Sequence, residues 1–259
     1  MSIALSVNIN KLALLRNSRP GNFPDLIAHA ASCIQAGANG ITVHPRPDQR
    51  HVRANDIVPL ARLLAQYPSV EFNIEGNPFA PAQGSYPGLL ALVEAARPAQ
   101  CTLVPDTDHQ LTSDHGFDLR RDGTALRPVI AELQAMGCRV SLFMDPEPEQ
   151  IRLAHEIGAD RVELYTGPFA LAFAHAPTPQ WQAILTQHRD AAHCARACGL
   201  GINAGHDLNL QNLPVYAAAL PGLQEVSIGH ALTVDAIERG LTAAIQAYQH
   251  ALRTTANAH

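Results

Sequence analysis

The chain reads as an α/β protein, a (β/α)8 TIM barrel forming one domain over residues 1–259 with small extra helices or loops. Three observations point there. Eight short apolar runs alternate with longer amphipathic ones, and uniformly apolar runs suit parallel strands covered on both faces. The GxGxxG turn of an open dinucleotide-binding sheet is missing after the first run. The polar and ionisable residues gather at the carboxyl ends of the runs, which in a parallel barrel share one rim.

The strands, in order, are IALSVNI from Ile3, GITVH from Gly40, VEFNI from Val70, CTLV from Cys101, RVSLFM from Arg139, RVELY from Arg161, LGINA from Leu200 and EVSIG from Glu225. PDLIAHAASCIQAGA follows the first with helical spacing, and NDIVPLARLLAQY follows the second with Asn55 as its N-cap. EQIRLAHEIGA joins the fifth to the sixth, and VDAIERGLTAAIQAYQHAL makes one long helix after the eighth. Gly37, Gly137, Gly158 and Gly199 stand where helices should stop. NPFAPAQGSYPG, rich in Pro and Gly, predicts a mobile loop near the site, and TTANAH a frayed tail.

The formal net charge is -5 and the sequence pI about 6.2, which gives no reason to expect nucleic acid or an anionic membrane as partner. No segment reaches the roughly 20 unbroken apolar residues of a membrane span. The start MSIALSVNIN lacks the basic region and long apolar stretch of a secretory signal. Five scattered cysteines fit free thiols in a reducing cytoplasm. Cys194 and Cys198 share one helical face; packing explains them better than a metal, since no second close pair is present.

Chemistry concentrates after the strands. Asn8, Asn10 and Lys11 close the first, with Arg16 and Arg19 beyond; His44, Arg46, Arg50 and His51 follow the second; Glu71 and Glu75 bracket the third. Asp106 and Thr112 follow the fourth, Asp145 the fifth, and Glu163 lies within the sixth. Asn203, Gly205, His206 and Asp207 end the seventh, and Gly229 and His230 the eighth. A single histidine at a strand end is more often a backbone cap than a catalyst, but three at the same end of three strands reverse that weighting. A carboxylate among apolar neighbours, as at Glu71 and Glu163, is costly unless paired or used. Arg120, Arg121 and Asp122 read as a solvated charge run.

Gly-His before a helix-like segment occurs twice, in NAGHDLNLQNL and SIGHALTVDAI, a pattern suited to phosphate at the last two loops of a barrel. Arg19 and Arg46 are placed to clamp a second anion, guanidinium being matched to phosphate. Two phosphates across one cavity imply two phosphorylated small-molecule substrates or one bisphosphate. Glu71, His44 and His206 then supply proton donors and acceptors between them. Neither a dinucleotide fingerprint nor a P-loop is present.

The stretches VNINKLALLRNSR, GANGITVHPRPDQRHV, TLVPD, VSLFMDP, GADRVELYTG, GINAGHDLN and EVSIGHAL resemble the pyridoxine 5'-phosphate synthase family over nearly the whole chain. The resemblance implies an octameric barrel that condenses 3-amino-2-oxopropyl phosphate with 1-deoxy-D-xylulose 5-phosphate, without cofactor or metal. It implies His44 and Glu71 as proton acceptors, His206 as proton donor and Glu163 as transition-state stabiliser. Asn8, Arg19, Asp207, Gly229 and His230 would hold the amino ketone phosphate, and Arg46, His51 and Thr112 the pentulose phosphate. The chain departs from the family pattern at Asn10-Lys11, where well-known members carry Asp-His, and Glu75 competes with Glu71 for the role of base. Three rival readings remain: a metal-dependent lyase or hydrolase built on His44, His206, His230 and a Glu; a Schiff-base aldolase using Lys11; and a phosphate-ligand sensor without catalysis.

Overall fold

The computed structural model describes residues 2–175 and 180–256. Eight strands, β1 (Ala4–Asn8), β2 (Gly40–Val43), β3 (Glu71–Gly76), β4 (Gln100–Leu103), β5 (Arg139–Met144), β6 (Arg161–Tyr165), β7 (Gly201–Gly205) and β8 (Leu223–Ile228), close in sequence order into a barrel. Every neighbouring pair is parallel, β8 returning to β1. The predicted strand positions hold to within two residues.

Side chains alternate across each strand. One set, which includes Leu5, Ile41, Ile74, Leu142, Val162 and Val226, is fully buried and belongs to the main hydrophobic cluster under the helices. The other set faces the barrel interior and is polar. Ser6 and Thr42 hydroxyls lie 2.7 Å apart, Asn73 donates to Thr42 at 3.3 Å, and Thr102 donates to Asn73 at 3.1 Å. The strands are therefore buried on both faces, but much of the inner face is held by hydrogen bonds between neighbouring strands rather than by apolar contact, while the Ser141 and Ser227 hydroxyls are buried without a partner.

The helices around the barrel are α1 (Asn10–Asn17), α2 (Leu26–Gln35), α3 (Ala54–Leu64), α4 (Leu89–Ala96), α5 (Leu119–Ala135), α6 (Pro148–Glu156), α7 (Gly167–Ala174), α8 (Gln180–Ala197), α9 (Leu213–Ala219), α10 (His230–Arg239) and α11 (Leu241–Ala256). Asn55 is not an N-cap. Helix α3 starts two residues earlier, at Ala54 with Arg53 as N-cap, because the Asp56 carboxylate reaches back to the Arg53 N–H at 2.7 Å while also pairing with the buried Arg16. The long helix expected after β8 is two, α10 and α11, parted at Gly240, whose φ of 85° has no place inside a helix. The four predicted helix stops all take positive φ. Helix α11 carries TTANAH as far as Ala256, and the last three residues lie outside the described ones.

Residues 77–88 include a Gln83–Tyr86 bridge, and Tyr86 is buried. None of them lines the main cavity. Cys194 on α8 and Cys198 just past its end are half-buried, the Cys194 thiol donating to the Pro148 carbonyl at 3.2 Å. Arg120 and Arg121 are exposed and pair with Glu149 and Asp122.

Candidate active site

A cavity of about 300 Å³ opens at the carboxyl ends of the strands. Strand β1 and the start of α1 contribute Asn8, Asn10 and Lys11; the segment after β2 contributes His44, Arg46 and His51. Glu75 comes from β3, Thr112 and Ser113 from the connection after β4, and Glu163 from β6. His206 and Asp207 follow β7, while Ser227, Gly229 and His230 come from the end of β8 and the start of α10.

The structure corrects two expectations. Glu71 opens β3 and so lies at the amino end of the barrel, where it forms an ion pair with Arg139. Glu75 faces the same interior four residues on, about 13 Å further along at the usual strand rise, and it is this carboxyl that lines the cavity. Arg19 is exposed beyond α1 and does not line the cavity.

His44 is the centre of the acid–base group. Its backbone N–H donates to the Asn10 side-chain oxygen at 2.9 Å, so an amide at that position keeps the acceptor a carboxylate would offer. Its ring lies between two carboxyls: Nδ1 is 3.9 Å from Glu75 Oε2, and Nε2 is 3.9 Å from Asp106 Oδ2. Burial, reinforced by Arg46, His51 and Arg50, pushes its pKa well below the usual imidazole value, leaving a neutral ring that can accept a proton.

Glu75 moves the opposite way. Burial first, and then the nearby Glu163, Asp106 and Glu225, hold its carboxyl well above the ordinary range. Asn8 donates to it at 3.4 Å. Glu163 is pushed up to about 8 by burial and by Glu225, and its Oε2 is buried without a partner. A Cβ on Gly205 would collide with Glu163 Oε1, so only glycine leaves that carboxyl its place.

The turn after β7 presents His206 and Asp207 with φ of 85° and 58°, a left-handed geometry that side chains disfavour and that concentrates at functional sites. The Thr166 hydroxyl holds the turn by donating to the carbonyls of Gly205, at 2.7 Å, and His206. His206 Nδ1 lies 2.9 Å from Asp207 Oδ2, and Nε2 lies 2.9 Å from the Thr112 hydroxyl. The His206 contact keeps Asp207 below its ordinary pKa despite burial. An ionised Asp207 places a proton on Nδ1, so Nε2 is the nitrogen left to exchange one.

Cationic and amide donors flank this centre. Arg46 is buried, paired with Asp106, and donates to the Thr107 and Gln110 carbonyls at 3.3 and 3.1 Å. Arg50 ties the same connection through the Gln110 and Asp108 carbonyls. His51 is driven down to about 3 by burial, Arg46 and Arg50, and its Nδ1 accepts from the Val52 N–H at 2.9 Å. Across the cavity, α10 begins directly after Gly229, so its unpaired amino-terminal N–H groups offer an anion site. The Gly-His of the seventh loop is different, because α9 starts only at Leu213. Among the described residues, no group of three or more His, Cys, Asp or Glu side chains is disposed to hold a metal ion.

Sequence reasoning gave no role to Asp106, Ser113, Ser227 or Phe143, all of which reach the site or its walls. For Asp106 the available signal was its place two residues past a strand end beside TLVP.

Known proteins agree with this architecture. The barrel superimposes on tryptophan synthase from M. tuberculosis with a TM-score of 0.62 at 12% identity, covering 97% of this chain and 93% of that one. D-Psicose 3-epimerase from Clostridium cellulolyticum H10 gives 0.53 at 11% identity, with 98% and 99% covered. At such identities the likeness concerns the fold alone. In sequence, the chain is 57% identical over 248 residues to the pyridoxine 5'-phosphate synthase of Xanthomonas campestris pv. campestris (strain B100), covering 96% of this chain and 95% of that protein. The synthase of Xylella fastidiosa (strain 9a5c) is 52% identical over 244 residues, covering 94% and 92%. Residues 5–254 match the family described as Pyridoxal phosphate biosynthesis protein PdxJ, and the chain belongs to that family.

Proposed function

We propose that the protein is a pyridoxine 5'-phosphate synthase, condensing 3-amino-2-oxopropyl phosphate with 1-deoxy-D-xylulose 5-phosphate to pyridoxine 5'-phosphate, phosphate and water. The observation that carries this reading is the neutral His44 ring set between the Glu75 and Asp106 carboxyls in a cavity with anion donors on two sides. Imine formation, enolisation, loss of phosphate and ring closure each need a proton moved over a short distance, and a poised imidazole–carboxyl pair supplies that.

In this reading His44 and Glu75 take protons from the condensing carbons, His206 donates one to a leaving oxygen, and Glu163 stabilises the transition state. Asn8, Asp207, Gly229 and His230 hold the amino ketone phosphate at the start of α10. Arg46, His51, Thr112, Asn10 and Lys11 hold the pentulose phosphate. Arg19, outside the cavity, has no part in the assignment. Incubating the protein with both substrates is expected to produce the absorbance of pyridoxine phosphate; no product from folded protein and intact substrates would defeat the proposal.

The assembly is read as a homo-octamer by family resemblance, formed in the cytoplasm. An exposed apolar surface supports association: Leu14 and Leu15 on α1, Phe23 beyond it, and Val234 and Ile237 on α10, two helices that touch. Sedimentation is expected to give the mass of about eight chains, and Ile237→Asp or Phe23→Asp to lower it. A monomer at micromolar concentration would contradict this. The free cysteines fit a reducing compartment, and no helix among the described residues is long and apolar enough to cross a membrane.

A further inference from the structure

We propose that Asp106 is a positioning residue for His44: when Arg46 turns to the pentulose phosphate, the Asp106 carboxylate accepts from His44 Nε2–H and leaves Nδ1 as the lone pair facing Glu75. The inference rests on the acid–base reading above and adds to it the choice of tautomer.

Asp106 is buried, and its Oδ2 is shared. It accepts from Arg46, accepts from the Ser113 hydroxyl at 2.8 Å, and lies 3.9 Å from His44 Nε2. Its Oδ1 is buried with no partner at all, which is unusual for a charged oxygen unless a partner arrives during function. Arg46 in turn spends its donors on Asp106 and on the Thr107 and Gln110 carbonyls. A phosphate offers guanidinium a stronger bidentate match than a shared carboxylate and two neutral carbonyls.

Withdrawal of Arg46 does not set Asp106 loose. The Asn77 amide donates to its backbone carbonyl at 2.8 Å, and Ser113 still holds its side chain. The nearest strong donor left for Oδ2 is then His44 Nε2. A neutral imidazole has one N–H, so fixing it on Nε2 puts the lone pair on Nδ1. That nitrogen faces Glu75, whose carboxyl can hand over a proton and take one back. The other charged or titratable groups around His44 are Arg46, Arg50 and His51 from its own segment. Around Asp106 they are Arg46, Asp114 and His115.

Asp106→Asn tests this, because it keeps the size and removes the charge that selects the tautomer. The expected result is a kcat lowered about tenfold to a hundredfold, with KM for the pentulose phosphate within about threefold of wild type. The acid limb of the kcat/KM profile should move to lower pH, since His44 loses a neighbouring negative charge. If Asp106 serves only to hold Arg46, the loss falls on KM with kcat and the acid limb unchanged, and the proposal is overturned; wild-type kcat with a wild-type profile overturns it too. Ser113→Ala, which loosens the same carboxylate without touching its charge, should show the same split with smaller amplitude, and serves if the Asn variant does not fold. His44→Asn run alongside separates the two readings. Full activity there removes His44 from proton transfer and the Asp106 role with it; lost activity there beside an unaffected Asp106→Asn removes the Asp106 role alone.

Discussion

Replacing Glu75 by Gln is expected to lower kcat by about 10²- to 10⁴-fold, the usual contribution of a positioned acid or base, while Glu71→Gln leaves kcat close to wild type. The contrast follows from position along one strand. Glu75 sits at the mouth, 3.9 Å from His44 and in contact with Asn8; Glu71 sits at the opposite end with Arg139. Gln at 75 keeps an oxygen for the Asn8 amide and the size of a carboxyl whose charged form burial already disfavours, so fold and phosphate affinity should survive. The Glu71–Arg139 pair is partly exposed, with side-chain exposures of 42% and 27%, and losing it should cost at most about 1 kcal/mol. Steady-state kinetics and calorimetric titration with inorganic phosphate read both effects. A fully active Glu75→Gln enzyme, or an inactive but folded Glu71→Gln, would return the base to the wrong end of the barrel.

That reversal marks where the sequence stopped being legible. Eight strands and their common rim were readable because apolar runs and polar ends are local signals. The end of β3 was not. Glu75 and Gly76 follow the apolar run VEFNI and look like the approach to the Pro- and Gly-rich loop, yet the strand runs through Gly76, where a Cβ would lie 2.9 Å from a Leu89 methyl. Two missing strand residues were enough to leave Glu75 outside the strand and Glu71 as the apparent base. The polar inner faces were hidden for a related reason: Ser6, Thr42, Asn73 and Thr102 look like interruptions in single strands and form a hydrogen-bonded row only after the strands are side by side. Asp106 is the sharpest case, since its relation to Arg46, Ser113 and His44 depends on side-chain direction, which spacing does not encode.

Putting several carboxyls into one dry interior has a thermodynamic consequence that can be read against pH. Burial raises Glu75, Glu225 and Asp106, and lifts Glu163 to about 8. Each of these holds its proton more tightly folded than unfolded, so its stabilising contribution is complete below the unfolded carboxyl value and is lost as pH rises through the folded one. For Glu163 that window runs from about 4.5 to about 8, and its full width is worth on the order of 5 kcal/mol.

Buried imidazoles act in the opposite sense. His188, hydrogen-bonded to Tyr216 at 2.8 Å, is driven down to about 4, and His51 to about 3, both mainly by burial. Their contributions are complete above about 6.5 and are lost as pH falls toward those values. Between about 4.5 and 6.5 the two sets oppose each other, so stability should change little there. Above 6.5 the raised carboxyls set the trend, and stability should fall toward pH 8; below 4.5 the buried imidazoles and the depressed Asp207 lose their contributions, and it should fall again. Denaturant unfolding of wild type and Glu163→Gln across this range isolates one member. The stability of the Gln variant relative to wild type is expected to increase steadily from pH 5 to pH 8.5, by about 4 kcal/mol in all. A difference that stays constant over that range would mean that Glu163 ionises as freely inside the barrel as in the unfolded chain, and the buried, partnerless oxygen could not then be what the site is built around.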